Sequence, residues 1–141
     1  MDLFAPYRNR LIFRWLYWTA RIGLGLTFIA SGIRKLPGVH FTLLPESDPV
    51  GAYFAAMEAT GFYWHFIGYF QILVGLLTCF NRTVITALVL MMPVTVNIFL
   101  ISVTLHMRGT PIITGLMLLG NLYLLFWHYP NYRTLLQRPI R

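Results

Sequence analysis

Three side-chain amides and two adjacent cations are the residues of this sequence best suited to binding chemistry. They are Arg34, Lys35, Gln71, Asn97 and Asn121. Each amide lies within a strongly apolar stretch, where an unpaired carboxamide facing hydrocarbon costs several kcal/mol. We therefore predict that Gln71, Asn97 and Asn121 point inward and converge, with Arg34 or Lys35 at one end of the interior. Such a group is suited to a small ligand, a lipid head group or a quinone-like ring.

The same residues also have a structural interpretation. Carboxamides hydrogen-bond across membrane helices, and each such bond contributes ~0.6 kcal/mol. Lysine and arginine near helix ends extend their charged groups to the membrane surface. This is the corresponding interpretation of Arg34 and Lys35, and it is our expectation for Arg21. A ligand cavity and interhelical hydrogen bonding therefore both stay open.

Motifs for catalysis and metal binding are absent from the sequence. None of the four histidines lies in an HxxxH or HExxH arrangement, and no acidic residue within an apolar stretch is available to orient a metal ligand. The sequence also lacks a Ser-His-Asp set, a carboxylate pair and a phosphate-binding loop. We predict no metal, no catalytic residue, no enzyme activity of this chain alone, and no cofactor unless the interior binds a quinone.

Helix packing must position these groups, and the first apolar stretch indicates how. With about 100° of rotation per residue, one narrow face of its helix carries a cation near each end and two glycines between them. That face consists of Arg21, Gly25, Phe28, Gly32 and Lys35. In the next apolar stretch, Gly68 and Gly75 share a face with Gln71. Because glycines let helix backbones approach closely, we predict that these four glycines are helix-packing residues.

The composition is that of a membrane protein. Hydrophobic residues make up 57% of the 141 residues and charged residues 11%, whereas soluble domains are about a quarter charged. Four apolar stretches, about 17–36, 62–80, 83–105 and 109–129, approach the roughly 20 residues that a spanning helix needs. We predict an all-α membrane protein in which one domain, residues 1–141, forms a four-transmembrane-helix bundle.

A short amphipathic helix is predicted on the extracytoplasmic surface between spans 1 and 2. Asp48 is a suitable N-cap, Pro49 a suitable first residue and Gly61 a suitable end. Tyr53 and Phe54 contribute to one side of this helix. The segment either anchors to the membrane surface or covers the end of the bundle.

The charges predict the orientation of the chain. With four spans, eight of the eleven Lys and Arg residues fall on the side of the two termini, and three of the four acids fall on the other side. Such an excess of cations marks the cytoplasmic side. We therefore predict an integral protein of the bacterial inner membrane with both termini cytoplasmic. The net charge of +7 then reflects orientation and contact with anionic membrane lipid rather than nucleic-acid binding.

Several segments resemble the DoxX-like family of small four-span membrane proteins. They are residues 21–36, the loop segment 53–61, the Asn81-Arg82 turn, Asn97-Ile98-Phe99 and residues 121–125. The resemblance implies a four-helix bundle. It does not imply one activity. Our leading interpretation is an accessory or assembly subunit of a larger membrane complex, redox-linked or respiratory, without catalytic residues of its own. A quinone- or lipid-binding protein that uses the bundle interior and a membrane-protein assembly factor are the alternatives.

The chain departs from the family pattern at one position. DoxX-like proteins commonly carry a glutamate in the second span, before its glycines, where this sequence has Gln71. Without an ionisable group, proton-linked chemistry at this position is not expected. The resemblance thus implies a structural or neutral-binding role for Gln71.

Overall fold

The computed structural model describes residues 5–136, with side chains up to residue 132. Within that range the chain is all-helical, without a strand. Its helices are α1 (Ala5–Arg8), α2 (Leu11–Ile33), α3 (Pro49–Ala59), α4 (Phe62–Leu77), α5 (Val84–Thr104), α6 (Thr110–Trp127) and α7 (Tyr129–Leu136). The tail cations Arg138 and Arg141 and the side chain of Arg133, all used in the orientation prediction, lie outside the described residues.

Four helices form a bundle with one interior. Helix α2 packs along α4, α4 contacts α5, α5 packs along α6, and α6 returns to α2. The connections from α4 to α5 and from α5 to α6 are short, so consecutive helices are antiparallel neighbours. Phe28, Leu88, Met91 and Leu124 are completely buried between the helices. Apolar packing therefore holds the middle of the bundle together.

The helices have the length and composition of a membrane protein. Among the described residues, α5 and α6 are long and apolar enough to cross a membrane, and α4 is a shorter apolar helix of 16 residues. Helix α2 has 23 residues and includes Arg14 and Arg21. Large apolar side chains such as Leu26 and Leu116 are exposed, as expected on a surface that contacts lipid. The predicted all-helical class is confirmed, with two helices of spanning length and composition.

The helix ends differ from the predicted spans: α2 begins at Leu11 rather than at residue 17, and α4 ends at Leu77 rather than at residue 80. The hydroxyl of Thr78 donates to the carbonyl oxygen of Gly75, 2.6 Å away. Arg21 Nε in turn donates to the carbonyl oxygen of Thr78 at 2.7 Å. Carbonyl groups at a helix end need donors, and here side chains supply them, so the chain leaves the helix early.

Helix α3 begins and ends close to its predicted limits. The carboxylate of Asp48 accepts a hydrogen bond from the backbone N–H of Val50 at 2.8 Å, as an N-cap does. The predicted amphipathic character is wrong, because the exposed face carries Ala52 and Ala56 and the opposite face buries Val50 and Phe54. With apolar residues on both sides, α3 packs over the end of the bundle next to α4.

Candidate functional site

The four glycines predicted as packing residues lie where α2 meets α4. A Cβ atom built on Gly32 would lie 2.6 Å from the carbonyl oxygen of Gly68, and one on Gly75 would lie 2.9 Å from that of Gly25. These separations are too short for a real side chain, so the two backbones are in direct contact. A Cβ built on Gly68 would also lie 2.8 Å from Cβ of Lys35. The close approach thus places Lys35 against α4.

Lys35 is a buried cation just beyond the end of α2, with 5% of its surface exposed. Its Nζ donates to the hydroxyl of Ser31 at 2.8 Å and to the Ser31 carbonyl oxygen at 3.1 Å. The ammonium also lies 4.6 Å from the ring centre of Phe41 and 5.2 Å from that of Trp64. Within residues 5–132, no acidic side chain forms an ion pair with Lys35. Its charge is therefore balanced only by neutral groups.

Gln71 is completely buried, and the Ser31 hydroxyl connects it to Lys35 by hydrogen bonds. Its Oε1 lies 3.4 Å from the Ser31 hydroxyl. Because lysine only donates, Ser31 accepts from Lys35 and gives its own proton to Gln71 Oε1. Gln71 Nε2 and Trp64 Nε1 are then buried donors with no acceptor in the described part of the chain. Buried polar groups are nearly always paired, so two unpaired donors in one place mark a site.

These groups surround a cavity of about 120 Å³ between α2, α3, α4 and α5. An apolar cavity of ~150 Å³ is known to hold one benzene molecule, so this slightly smaller cavity suits a group no larger than one ring. We call it the Lys35 cavity; its lining includes Ser31, Lys35, Tyr53, Trp64, Gln71 and Asn97. Burial, and to a lesser extent the neighbouring Tyr63, raises the pKa of the Tyr53 phenol, which therefore stays neutral.

Two of the predicted ligand-binding residues occupy other positions than expected. Arg34 is exposed and does not line the cavity, so Lys35 is the cation at this site. Asn97 lies in the cavity wall, but its side chain is exposed and makes no hydrogen bond within the described residues. The predicted inward pairing of Asn97 is wrong, because the residue of α5 that faces the interior is Thr95. Two residues along a helix correspond to ~200° of rotation.

Asn121 is buried at a separate place, between α5 and α6. Its Nδ2 donates to the hydroxyl of Thr95 at 3.0 Å, and that hydroxyl donates to the carbonyl oxygen of Met91 at 2.6 Å. The predicted convergence of the three amides is therefore wrong. Gln71 and Asn97 line the Lys35 cavity, whereas Asn121 makes the interhelical hydrogen bond that the structural interpretation describes.

A second polar cluster surrounds Arg21, which lies in the middle of α2 and contacts the α4–α5 turn. Arg21 Nε donates to the carbonyl oxygen of Thr78 at 2.7 Å, and Nη1 donates to Asn81 Oδ1 at 2.8 Å and to the Tyr17 hydroxyl at 3.1 Å. The Tyr17 hydroxyl also lies 3.0 Å from His128 Nε2. We call these five residues the Arg21 cluster. Arg21 is buried beside the α4–α5 turn, whose groups accept its hydrogen bonds, and its extension to the membrane surface stays a prediction.

A protein-family model described as DoxX matches residues 16–107, more than half of the chain. The chain belongs to the DoxX family. The family and the apolar helices together identify it as a membrane protein. The matched range includes Arg21 and the cavity residues Lys35, Gln71 and Asn97, whereas Asn121 lies beyond it. Comparisons with curated proteins and with solved structures gave no match.

Three polar features of this DoxX-family chain were not predicted from its sequence. They are the hydrogen bond between Lys35 and Ser31, the unpaired N–H of Trp64 and the inward position of Thr95. Ser31 was detectable, because it lies four residues before Lys35 and residues at this spacing are neighbours on a helix. The unpaired N–H of Trp64 and the inward position of Thr95 depend on how the helices pack.

No group of three or more His, Cys, Asp or Glu side chains suited to a metal ion occurs among the described residues.

Proposed function

We propose that this DoxX-family chain is a four-span protein of the bacterial inner membrane that binds the polar end of a small membrane-soluble molecule. A quinone ring and a lipid head group are the two candidates. The observation that carries the proposal is the Lys35 cavity. Among the described residues, it places a buried cation without a counterion and two unpaired buried donors, Gln71 Nε2 and Trp64 Nε1, around a space of about 120 Å³.

The arrangement of the helices supports four spans. Helices α5 and α6 have spanning length and composition, and α2 and α4 pack beside them in the same bundle. A helix of 16 residues is about 24 Å long at 1.5 Å per residue, which is close to the ~30 Å hydrocarbon thickness. Helix α4 therefore nearly crosses the membrane, and α2 is longer.

The distribution of charge supports cytoplasmic termini. Exposed Arg10, Arg14 and Arg82 lie toward the end of the bundle that contains the Arg21 cluster. Glu46 and Glu58 belong to the loop and helix α3 at the other end. Because cations accumulate on the cytoplasmic side, we place α1 and α7 in the cytoplasm. A C-terminal reporter fusion active only in the periplasm would contradict this orientation.

We infer that the cavity opens toward the lipid beside Asn97. Asn97 belongs both to its wall and to the exposed surface of α5. Helix α3 contributes Tyr53 and Phe54 to the wall and covers the outer end of the cavity. A polar head group therefore enters beside Asn97 and reaches the Lys35 ammonium, while its tail stays in the membrane.

The test is to identify what remains bound after gentle purification. The wild type, Lys35→Met and Arg34→Met are extracted in a mild uncharged detergent, and their organic extracts are compared by mass spectrometry. Arg34 is the matched control because it is the neighbouring cation, is exposed and lies outside the cavity. We expect one molecule in a stoichiometric amount in the wild type and in Arg34→Met, and its loss in Lys35→Met. A folded wild type without any such molecule would contradict the proposal.

A second candidate function is an accessory or assembly subunit of a redox-linked membrane complex. A groove of about 480 Å³ between α2 and α6 favours it, because Gly23 and Gly120 lie in this groove. A Cβ built on Gly23 meets no other atom within 4 Å, and small residues allow another membrane helix to approach closely. Native mass spectrometry distinguishes the roles: a partner in fixed proportion supports a subunit, and a substoichiometric client supports an assembly factor.

A further inference from the structure

We propose that the head group held in the Lys35 cavity is an anionic carboxylate at the end of a single acyl chain, an inference that rests on the proposed ligand-binding function. The polar atoms left unpaired around the cavity carry this inference, together with the charge of Lys35 and the position of the opening. A long-chain fatty acid is the simplest molecule with this chemistry.

Among the described residues, the buried atoms of the cavity wall that lack a partner are donors. Gln71 Nε2 and Trp64 Nε1 have no acceptor in the described part of the chain. The Lys35 ammonium has three protons, and its two bonds both go to Ser31. An ionised carboxylate only accepts and offers about four lone pairs. It therefore matches a site whose remaining capacity is to donate.

The charge of Lys35 separates a carboxylate from a neutral ring. A quinone carbonyl accepts hydrogen bonds but leaves the buried positive charge without a counterion, whereas a carboxylate supplies both the acceptor and the charge. The carboxylate of Glu58 in α3 is bound elsewhere: it accepts from the Phe41 N–H at 2.8 Å and lies 3.3 Å from His40 Nδ1. Gln71 is neutral and does not repel an anion.

The size and opening of the cavity favour a single chain. Its volume of about 120 Å³ holds a carboxylate with the first carbons of its chain. Ile67 of α4 and Ile98 of α5 belong to the wall beside Asn97, which lies at the exposed edge. An acyl chain that leaves the cavity here passes between apolar side chains and then contacts the lipid-facing surface.

The test measures binding of radiolabelled palmitate to the full-length protein in an uncharged detergent. Hexadecanol, with the same chain and no charge, is the competitor that controls for partition into the micelle. We expect palmitate to bind with one site per chain and hexadecanol to compete at least about tenfold more weakly, as expected when a charged hydrogen bond is lost. Lys35→Met should weaken palmitate binding by about tenfold or more, whereas Arg34→Met should leave it unchanged.

Two further probes determine which proposal fails if the result differs. If decyl-ubiquinone binds and palmitate does not, the carboxylate inference is overturned while the proposed function is supported. If lysophosphatidic acid binds more tightly than palmitate and requires Lys35, the head group is a phosphate and the inference is again overturned. If none of the probes binds to folded wild-type protein, both proposals are overturned. Comparison of palmitate with hexadecanol on the wild type needs no variant, so the test remains decisive even if Lys35→Met does not fold.

Discussion

Arg21 lies in the middle of helix α2 and Lys35 lies just beyond its C-terminal end. Both cations are buried, and they have different surroundings. Arg21 hydrogen-bonds to the α4–α5 turn through Thr78 and Asn81 and to the Tyr17 hydroxyl. Only its Nη2 has no partner within the described residues. Among the described residues, Lys35 donates only to Ser31, four residues earlier in the chain, and it faces a cavity. One cation is thus tied to other parts of the fold, and the other is not.

This difference separates a structural group from a binding group. Acceptors of the protein itself bind the Arg21 guanidinium, which joins α2 to the α4–α5 turn. At the Lys35 cavity, the described part of the chain supplies buried donors and no acceptors for them. A buried charge without a counterion is unfavourable in the empty protein, and it becomes favourable when an anion binds. The following four predictions test this comparison, beginning with the largest expected effect.

Arg21→Met should be strongly destabilising. It removes the donors that bind the Thr78 carbonyl and Asn81, and hydrogen bonds of charged groups contribute ~1.5–3 kcal/mol each. We expect the free energy of unfolding to fall by about 3 kcal/mol or more, measured in detergent by tryptophan fluorescence on heating. Arg14→Met, which removes an exposed arginine of the same helix, should change stability by less than ~0.5 kcal/mol. Equal effects of the two substitutions would show that Arg21 does not anchor the α4–α5 turn.

Gly32→Ala tests whether the backbones at the cavity end are as tightly packed as the contacts indicate. The new Cβ would lie 2.6 Å from the carbonyl oxygen of Gly68, so α2 and α4 must separate. Overpacking of this kind costs ~1–3 kcal/mol, and the unfolding temperature should fall accordingly. Gly23→Ala is the control, because its Cβ meets no other atom within 4 Å. If Gly32→Ala melts at the wild-type temperature, the α2–α4 contact is looser than described.

Tyr17→Phe tests the hydroxyl that links Arg21 to His128. The substitution removes a hydrogen bond acceptor for Arg21 Nη1 and the contact with His128 Nε2. We expect a loss of about 1–2 kcal/mol, since one of these bonds involves a charged group. Tyr69→Phe removes a hydroxyl from an exposed side chain and should have no measurable effect on the same melting curve. A neutral result for Tyr17→Phe would remove this residue from the Arg21 cluster.

Lys35→Met should have the smallest effect on the stability of the ligand-free protein. Replacing a buried charge that lacks a counterion by an apolar side chain of similar length is neutral or stabilising. We expect an unfolding free energy within ~1 kcal/mol of the wild type, or higher, in protein stripped of bound lipid. If Lys35→Met were as destabilising as Arg21→Met, Lys35 would be a structural residue and the contrast between the two regions would disappear.

The sequence alone determined much of the architecture. Residue spacing alone places four residues on one face of the helix: Arg21, Gly25, Gly32 and Lys35. All four are buried. The start of α3 could also be predicted from the sequence, because Asp48 is an N-cap followed by proline and this pair is a local signal. Local spacing and capping therefore identified the faces that pack and the ends of some helices.

Tertiary structure decided which polar groups are paired. The sequence did not distinguish Thr95 from Asn97, because the direction in which α5 faces its neighbours depends on how whole helices pack. The same packing gave Asn121 a partner on α5 and left Gln71 Nε2 without one in the described part of the chain. Arg21 and Lys35 are similar in sequence, each a cation near one end of the predicted apolar stretch 17–36. A turn between two other helices provides acceptors for Arg21, whereas a cavity adjoins Lys35, and contacts between segments distant in sequence create both.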